Sequence, residues 1–410
     1  MKVLIVGAGV AGNALAVWLS RLGHYVTVVE HFPTFRTSGL QIDLRGPGIE
    51  VLKRMGLESA FRSKMAPEQG IRIVDSKGRV WGSFPVNKSG KGLQSFTTDW
   101  EIMRGDLVRL LREACLESVT FKFGVTASAF EESSEGINVK LSDGTSSTYD
   151  LVVGADGVHS RVRKLMLAKQ DAIEDPLHPI AGGSVVAYFT SPSALQPGEG
   201  FNATGYLSTG KRGIMTRRSS PDFIQVYIGG QPDPKVFSGL TRGDTEAEKR
   251  AMAEFMHGAG WRTEELIGAM MTSEDFYCER IALVQMKRWS AGRIVLLGDA
   301  GYCPSVNTGM GTTCALVGAY ILAGELAIVD DCGVDRALQS YEATFRPYME
   351  EVQKGLVDEG GMSLPNGRAG VLGFNVLAGL AALFKINVGK WMMREDIKWK
   401  LPKYESLALA

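Results

Sequence analysis

The sequence has no excess of charge of either sign. Its 410 residues include 45 Lys and Arg and 45 Asp and Glu, so the formal net charge is zero. No block of like charge stands out along the chain, and a basic tract of the kind that contacts nucleic acid is therefore absent. We expect no nucleic-acid partner.

Cysteine is also scarce. The chain has five cysteines, an odd number, and none of them forms a C-x-x-C pair: Cys115, Cys278, Cys303, Cys314 and Cys332. Their scatter along a long chain suits neither a disulfide framework nor a zinc site. We expect a reducing, cytoplasmic compartment and no bound metal.

The apolar stretch near the C-terminus is short. It runs from Val371 to Phe384, has 14 residues and is interrupted only by Asn375. Spanning a bilayer takes about 20 apolar residues, so this stretch is too short to cross one. It predicts a helix that braces the fold, with contact to a membrane surface as the alternative, and no integral membrane segment.

Glycine, in contrast, is abundant, with 49 residues in the chain. Near the N-terminus, Lys2 to Val6 predicts a strand, Val10 to Leu22 a helix and Tyr25 to Val29 a second strand. The first strand-to-helix turn of this unit fills the pattern G-x-G-x-x-G with Gly7, Gly9 and Gly12. The glycines and the second strand indicate a fold motif rather than a cleavable signal peptide.

This turn has the chemistry of a dinucleotide site. Glycines permit the tight turn and let backbone N–H groups at the helix N-terminus approach a pyrophosphate. Glu30 ends the second strand, where a carboxylate can accept hydrogen bonds from a ribose diol. The motif predicts a bound dinucleotide and does not distinguish NAD from FAD.

Three further motifs follow along the chain. Arg104 opens a helical pattern with the spacing R-x-x-L. The strand pattern Leu151 to Ala155 leads into Asp156-Gly157. The strand pattern Arg293 to Leu297 leads into Gly298-Asp299-Ala300, then Gly309-Met310-Gly311 and a helix from about Thr313 to Val329.

In order and approximate spacing these motifs resemble the class A flavoprotein monooxygenases, the family of p-hydroxybenzoate hydroxylase, from Val3 to about Tyr341. The resemblance implies an α/β fold: a Rossmann-type (GR2) FAD-binding domain with an inserted antiparallel β-sheet substrate domain and a C-terminal helix. It also implies non-covalent FAD, with Asp299 at the ribityl chain and with Gly309 and Gly311 at the pyrophosphate and the isoalloxazine.

The same resemblance gives roles to two more residues. Arg104 matches the arginine of R-x-x-L, which reaches the cofactor in this family. The D-G motif of Asp156 is linked in the family to both FAD and NADPH. A turn and helix start is the alternative for Asp156.

One stretch resembles the tetracycline-inactivating branch of the family. There an arginine and, seven residues later, an aspartate contact the cofactors, and Arg36 and Asp43 are the matching positions. The chain departs from the family pattern at Gly301, Tyr302 and Thr313. Of these, Tyr302 changes the hydrogen bonding expected beside the flavin.

The chain is expected to divide into four parts. They are residues 1–175 and 281–355 for FAD, 176–280 for a substrate-binding sheet, and 356–410 for a helical extension. The predicted strands of the substrate sheet are Ser184 to Thr190, Ala203 to Ser208, Gly213 to Arg218 and Asp222 to Gly230. The substrate-facing candidates, chosen because alternate residues of a strand face one side, are Tyr188, Tyr206, Met215, Arg217 and Gln225.

The resemblance also implies a reaction. NADPH or NADH reduces FAD, oxygen adds at C4a, and the hydroperoxide transfers one oxygen atom to a bulky aromatic or polycyclic substrate. Epoxidation, Baeyer–Villiger insertion and plain oxidation are alternatives that keep FAD, and a NAD-binding dehydrogenase is a further one. The expected partners are a small aromatic substrate and O2, and the chain is expected to be a monomer or a weak homodimer.

Overall fold

Two large sheets, a three-stranded sheet, two two-stranded sheets and the helices packed on them make up the described part of the fold. The computed structural model describes residues 1–35, 40–87, 97–168, 176–180, 183–328, 333–356, 363–386 and 397–408. In these ranges the strands are β1 (Lys2–Val6), β2 (Tyr25–Glu30), β3 (Gln41–Asp43), β4 (Gly70–Val74), β5 (Val80–Pro85), β6 (Glu101–Met103), β7 (Val119–Phe123), β8 (Ala127–Ser133), β9 (Gly136–Leu141), β10 (Ser146–Tyr149), β11 (Leu151–Gly154), β12 (Leu177–Pro179), β13 (Val185–Pro192), β14 (Asn202–Ser208), β15 (Arg212–Arg217), β16 (Phe223–Gly230), β17 (Tyr277–Arg280), β18 (Ala282–Val284), β19 (Ser290–Ala291) and β20 (Ile294–Leu296). The helices are α1 (Val10–Arg21), α2 (Pro47–Arg54), α3 (Glu58–Arg62), α4 (Arg104–Glu113), α5 (Arg161–Ala168), α6 (Pro234–Ser238), α7 (Thr245–Met256), α8 (Thr263–Thr272), α9 (Asp299–Tyr302), α10 (Gly311–Ile328), α11 (Val334–Gln353) and α12 (Arg368–Leu383).

The first layer is a six-stranded sheet in the order β19–β20–β11–β1–β2–β7. Strand β1 pairs in parallel with β2 and β11, and β11 pairs in parallel with β20. The turns after β1, β11 and β20 therefore meet at one edge of the sheet, where ligands of open α/β sheets bind. These are the turns that carry the glycine, D-G and G-D motifs, and the predicted fold class is confirmed.

The second layer is a seven-stranded mixed sheet in the order β17–β13–β16–β15–β14–β4–β5. The four predicted strands of the middle region form β13 to β16, which pair antiparallel. Strands β4 and β5 come from residues 70–85, which were expected to belong to the FAD-binding part, and β4 pairs in parallel with β14. The sheet is therefore mixed and is assembled from segments on both sides of the D-G motif. The predicted boundary at residue 175 lies outside the described residues.

The mixed sheet has two different faces. One face packs on α6, α7 and α8 through apolar side chains such as Ala187, Ile214 and Ile228, and we call it the back face. The opposite face carries Tyr188, Met215 and Tyr227, which pair with one another across β13, β16 and β15. We call it the front face. Because successive side chains of a strand alternate, the strand register fixes which residues belong to it.

The C-terminal part of the chain contacts both layers. Helix α12 lies across β5, because a Cβ added to Gly82 would sit 2.8 Å from the carbonyl oxygen of Ala378. Further on, the ring of Tyr404 packs against Gly324 of α10, and its hydroxyl donates to Glu325 at 2.6 Å. The C-terminal part of the chain is therefore attached to the second layer through α12 and to the first layer through Tyr404.

Helix α10 forms the centre of the first layer. Among the described residues it is the one helix that is long and apolar enough to cross a membrane, and 72% of it is buried inside the protein. It packs between α1, α2 and α11. A helix that is apolar all round is the expected core element of a large α/β protein.

Candidate active site

The glycine turn after β1 is fixed by contacts between backbone atoms. A Cβ on Gly7 would lie 2.3 Å from the carbonyl oxygen of Ala155, and Gly7 has a φ of +112°. A Cβ on Gly12 would lie 2.0 Å from the carbonyl oxygen of Gly7. Neither position can carry a side chain, so the N-terminus of α1 approaches β1 and β11 as closely as a dinucleotide site requires.

Glu30 lies directly at this turn. Its Oε2 accepts a hydrogen bond from the backbone N–H of Ala8 at 2.9 Å, and its Oε1 accepts from Phe32 N at 3.1 Å and lies 2.8 Å from His31 Nδ1. Burial opposes ionisation, but the hydrogen bonds from His31, Phe32 and Ala8 outweigh it and lower the pKa of Glu30 to about 2. The carboxylate is therefore charged at neutral pH, and Oε2, which among the described residues accepts only from Ala8, has a further lone pair for a ribose hydroxyl.

Arg104 brings a positive charge to the same turn. It begins α4, where its backbone N–H donates to the carbonyl of Leu40 at 2.9 Å. A Cβ built on Gly9 would lie 3.6 Å from Arg104 Nη2, so the guanidinium lies beside the third residue of the turn. The arginine thus reaches the glycine turn, and its contact with the cofactor stays a prediction.

Asp299 follows β20 and opens α9. Burial, and after it the charge of Glu279, raise the pKa of Asp299, whereas the thiol of Cys303 and the charge of Arg104 lower it. Asp299 therefore lies within electrostatic range of both Arg104 at the glycine turn and Glu279 on β17. It connects the cofactor motifs with the second layer.

The first turns of α1 and α10 converge at Gly298. A Cβ on Gly298 would lie 2.9 Å from the Cβ of Ala11 and 4.0 Å from that of Ala315. Gly309 has a φ of +64°, and a Cβ on Gly311 would meet nothing within 4 Å among the described parts of the chain. Two helix N-termini therefore open onto the same space, with their N–H groups and positive dipole ends available to an anion.

Asp156 behaves differently from the other motif residues. Its carboxylate accepts from the Ser160 hydroxyl and from the backbone N–H groups of Arg161 and Val162, at 2.7 and 3.1 Å for the last two. These are the bonds of a helix cap at the start of α5. Burial raises the pKa of Asp156 against these hydrogen bonds. The cap is present, and a direct contact of Asp156 with cofactor stays a prediction.

Asp43 lies where the first layer meets α10. Its Oδ2 accepts from Arg45 Nε at 2.6 Å, and the Arg45 side chain is completely buried. The backbone of Arg45 both donates to and accepts from the Thr313 hydroxyl, at 3.0 and 3.2 Å. Thr313, where the family has asparagine, thus fastens the Asp43 segment to the first turn of α10. Arg36, the partner predicted for Asp43, lies outside the described residues.

Tyr302 points away from this cleft. Its hydroxyl lies 2.9 Å from that of Tyr341, and a Cβ on Gly318 would collide with it. The ring packs against Trp289 and Phe345 in the core between α10 and α11. The side chain at this position is thus a packing feature of the core, and its effect on hydrogen bonding beside the flavin stays a prediction.

Four of the five substrate-facing candidates lie on the front face. Tyr188, Met215, Arg217 and Gln225 share it by register. Tyr206 does not, because it pairs with Ile214 on the back face and its hydroxyl donates to the carbonyl of Ala259 at 2.6 Å. Expecting all five residues on one side was wrong for Tyr206, because alternation in the sequence does not say which face looks at the cleft.

Arg217 is part of a buried ionic cluster that joins the two layers. Its guanidinium donates to Glu68 at 3.0 Å and to Glu101, whose side chains are 1% and 2% exposed. Gln41 Nε2 also donates to both carboxylates, at 2.8 and 2.6 Å. Two carboxylates therefore converge on one arginine and one amide, while nearby Asp43 has its own partner in Arg45.

This convergence leaves one negative charge without a cation. Burial raises the pKa of Glu101 to about 7, and the charges of Asp43 and Glu68 add to it against the opposing effect of Arg217. Near neutral pH, Glu101 therefore takes up a proton more readily than an exposed glutamate does. The front face around Arg217 is therefore close to neutral and does not form an anion site.

Glu279 connects the front face with the D-G motif. Its Oε1 lies 3.1 Å from His159 Nε2, and its Oε2 accepts from the Tyr277 hydroxyl. Burial opposes ionisation, but the hydrogen bonds from His159 and Tyr277, with the charge of Arg242, lower the pKa of Glu279. Tyr277 in turn stacks on Tyr188, with ring centroids 6.1 Å apart. The aromatic part of the front face therefore lies next to the cofactor motifs.

The sequence did not single out several residues that build this region. Arg163 is completely buried and donates to the carbonyls of Ala300 and Val158, at 2.9 and 2.8 Å, which ties the D-G helix to the G-D turn. Glu101 lies three residues before Arg104 and faces the front face, but nothing in its local sequence marks a partner so far away along the chain. The one available indication is that Glu101 begins an apolar strand, where a buried carboxylate is unusual and needs a partner.

The arrangement fits a flavin dinucleotide. One carboxylate, Glu30, lies at the first glycine turn, and a second, Asp299, lies at the G-D turn. Between them are the open N-termini of α1 and α10 and the guanidinium of Arg104, which suit a pyrophosphate. The space directly beside Gly311 is open, since a Cβ there would meet nothing within 4 Å among the described residues.

Known proteins share this organisation. Residues 1–355 match a protein family described as FAD binding domain. The FAD-dependent monooxygenase asL4 of Sarocladium schorii is 43% identical, with 99% of each chain covered. The flavin-dependent monooxygenase eupH of Phoma sp is 39% identical over 93% of this chain and 92% of the relative.

Solved structures agree with the sequence relatives. Tetracycline destructase Tet(51) has a TM-score of 0.77 and 26% identity, covering 98% of this chain and 99% of its own. Tetracycline destructase Tet(55) has a TM-score of 0.76 and 28% identity, covering 98% of both. The family match spans the positions of every motif described above. The chain therefore belongs to the FAD binding domain family and is a FAD-dependent monooxygenase of the class A flavoprotein type.

Proposed function

We propose that the enzyme takes electrons from NADPH or NADH and inserts one oxygen atom of O2 into a bulky, uncharged aromatic or polycyclic substrate. The bound flavin supplies the oxygen chemistry when it is present, through a C4a-hydroperoxide. The observation that carries the proposal is the front face, an aromatic surface beside Asp299 whose arginine is already neutralised by two carboxylates.

The cofactor residues have distinct tasks in this proposal. Glu30 and the turn of Gly7, Gly9 and Gly12 hold the AMP half, and Asp299 accepts from ribityl hydroxyls. Gly309 and Gly311 leave room for the ring, and the N-terminus of α10 stabilises negative charge on it. Arg104 compensates the phosphate charge. Asp43 and Asp156 hold the segments beside the site in place, Asp43 through Arg45 and Asp156 at the start of α5.

The front face favours a neutral substrate with hydroxyl groups. Tyr188 and Met215 offer aromatic and apolar contact. The charge of Arg217 is already balanced by Glu68 and Glu101, so it does not favour an anion. The Oε1 atoms of Gln41 and Gln225 are buried acceptors that lack a hydrogen-bond partner within the described ranges. A phenolic or enolic hydroxyl would satisfy such an acceptor. Two structural neighbours are named for tetracycline, a compound with fused rings and hydroxyl groups of this kind.

The setting of the enzyme follows from its composition. We propose a cytoplasmic monomer or weak homodimer, supported by the scattered cysteines and the zero net charge. No part of this proposal requires a metal ion or a nucleic acid.

The proposal can be tested with the purified yellow protein. Under anaerobic conditions NADPH or NADH is mixed with the enzyme, and bleaching of the flavin is followed with and without substrate. A panel pairs each polycyclic phenol with an analogue that carries a carboxylate. We expect one nicotinamide nucleotide to bleach the flavin, and the neutral phenols to be consumed in air in preference to their carboxylated analogues.

Two results would count against the proposal. If neither nucleotide bleaches the flavin under any condition, the enzyme does not use NAD(P)H. If the carboxylated analogues are preferred, Arg217 is available to anions, which would contradict the conclusion that the front face is close to neutral. A product that has lost hydrogen without gaining oxygen would indicate plain oxidation instead.

A further inference from the structure

The outer side of α12 is a continuous apolar surface. Leu372, Val376 and Leu380 recur at four-residue spacing, so they lie along one side of the helix. Large apolar side chains of α12 and the three residues after it are exposed by 40% or more: Leu372 (55%), Val376 (40%), Leu377 (67%), Leu380 (45%), Leu383 (72%), Phe384 (69%) and Ile386 (52%). Single exposed leucines are common, but a contiguous stripe marks a surface that binds something.

The polarity of this helix is the reverse of that of an ordinary surface helix. Its one uncharged polar residue, Asn375, is 5% exposed and faces the protein, while the leucines face outward. A helix on the surface of a soluble protein buries its apolar side and exposes its polar one. The reversal indicates that the outer side of α12 contacts an apolar medium.

We propose that α12 lies in the surface of an anionic lipid bilayer and attaches the enzyme to it as a peripheral protein. The helix has 16 residues, a length of about 24 Å, which is too short to span a bilayer upright. It is also held parallel to the mixed sheet, because Gly379 and Ala378 contact the backbone of β5. Before it, the carbonyls of Pro365 and Asn366 accept from Lys211 and Gly210. The helix can therefore lie in the interface and cannot insert across it.

The charges around α12 favour anionic lipid over a second copy of the chain. Exposed Arg368 and Lys385 flank the stripe, and residues 363–386 include no Asp or Glu. Cations at the ends of an apolar helix face complement anionic headgroups. If two copies stacked their stripes in either orientation, these cations would face one another with no acid in the segment to compensate.

Docking in this way would place the substrate sheet next to the bilayer. The inner side of α12 packs on β5, β4 and β14, which belong to the same sheet as the front face. An apolar polycyclic compound concentrates in lipid, so the enzyme would meet it at the membrane surface. The attachment itself requires neither FAD nor substrate, and it can be measured separately from the reaction.

The test is flotation of the purified holoenzyme with vesicles. The vesicles are phosphatidylcholine alone, or phosphatidylcholine with about 30 mol % phosphatidylglycerol. We expect the enzyme to float with the anionic vesicles and less with the neutral ones. Leu377→Glu combined with Leu383→Glu should lower the partition coefficient at least about tenfold, because binding strength follows the buried apolar area. Leu116→Glu, at an exposed leucine (52%) away from α12, should float like the original protein.

A second variant pair separates charge from apolar contact. Arg368→Gln with Lys385→Gln should reduce flotation with anionic vesicles and leave flotation with neutral vesicles unchanged, without touching any packed side chain. Failure of the original protein to float with anionic vesicles overturns the proposal. A dimer in light scattering that Leu377→Glu with Leu383→Glu dissociates also overturns it, because a second copy would then be the occupant of the stripe.

Discussion

The cofactor motifs and the front face are built in opposite ways. At the cofactor motifs, backbone atoms approach one another through glycine, and the residues of each motif lie close together in the sequence. At the front face, side chains meet that are far apart along the chain, such as Gln41, Glu101 and Arg217. The first region is specified by local sequence and the second by strand pairing between distant segments.

The difference extends to electrostatics. The cofactor side offers helix N-termini and Arg104 to an anionic dinucleotide, so it needs positive potential. On the substrate side, Glu68 and Glu101 cancel the charge of Arg217. A single cleft thus combines an anion-binding half with a neutral half. Substitutions in the two halves should therefore change different properties of the enzyme.

The largest expected effect is at Gly12. Gly12→Ala places a methyl group 2.0 Å from the carbonyl oxygen of Gly7, which the backbone cannot accommodate. We expect loss of bound flavin, or of soluble protein, measured as flavin absorbance per mole of purified chain. Gly239→Ala is the matched control, since its Cβ would meet nothing within 4 Å among the residues that the structure includes. A Gly12→Ala protein with full flavin content would refute the close-packed turn.

The second effect concerns the proton on the buried cluster. The pKa of Glu101 is raised to about 7 from its ordinary 4.5, so its contribution to stability is complete below pH 4.5 and is lost as pH rises through 7. Glu101→Gln keeps a neutral hydrogen-bonding side chain and should remove this loss, of up to about 3 kcal/mol between these pH values.

The measurement is the free energy of unfolding by urea at a series of pH values. The slope between pH 5 and 7 should be less negative in Glu101→Gln than in the original protein. Glu58→Gln provides a control, because Glu58 forms an exposed i,i+4 pair with Arg62. Identical slopes for the original protein and Glu101→Gln would show that the pKa of Glu101 is not raised in the folded protein.

The third effect separates two aspartates that sequence motifs treat alike. Asp299→Asn should raise the FAD dissociation constant about 10- to 100-fold, because hydrogen bonds to a charged acceptor contribute about 1.5–3 kcal/mol. Asp156→Asn should instead lower the free energy of unfolding by about 1 kcal/mol, as for a weakened helix cap, and leave FAD affinity within about twofold. Flavin titration of the apoprotein and urea unfolding distinguish the two. Equal loss of FAD affinity in both would give Asp156 a cofactor contact.

The smallest effect compares the two faces of the mixed sheet. Tyr206→Phe removes the hydrogen bond to Ala259 on the back face, so it should cost about 1 kcal/mol of stability and leave KM unchanged. Met215→Ala on the front face should raise KM with little change in unfolding. Steady-state kinetics with urea unfolding measures both. A raised KM in Tyr206→Phe would mean that substrate approaches from the back.

Local elements were predictable, and their partners were not. The strand Lys2–Val6 has the predicted bounds, and the strand predicted from Ala203 to Ser208 begins one residue earlier, because each has a clear strand pattern. The pairing of β4 with β14 escaped prediction, since residues 70–74 and 202–206 carry no signal of each other. The pairing of Arg217 with Glu68 and Glu101 escaped prediction for the same reason. Alternation along a strand separates its residues into two faces, but it does not say which face is turned towards the cofactor motifs. Tyr206 was therefore assigned to the wrong face.

The central claim is that flavin held between the turns of α1 and α10 delivers oxygen to a neutral substrate on the front face. The most direct test incubates the holoenzyme with NADPH, a polycyclic phenol and isotopically labelled O2, and determines the mass of the product. The account predicts that the product gains one labelled oxygen atom, and that Asp299→Asn loses this activity in proportion to its lost flavin. A product without labelled oxygen, formed while O2 is consumed, would contradict it.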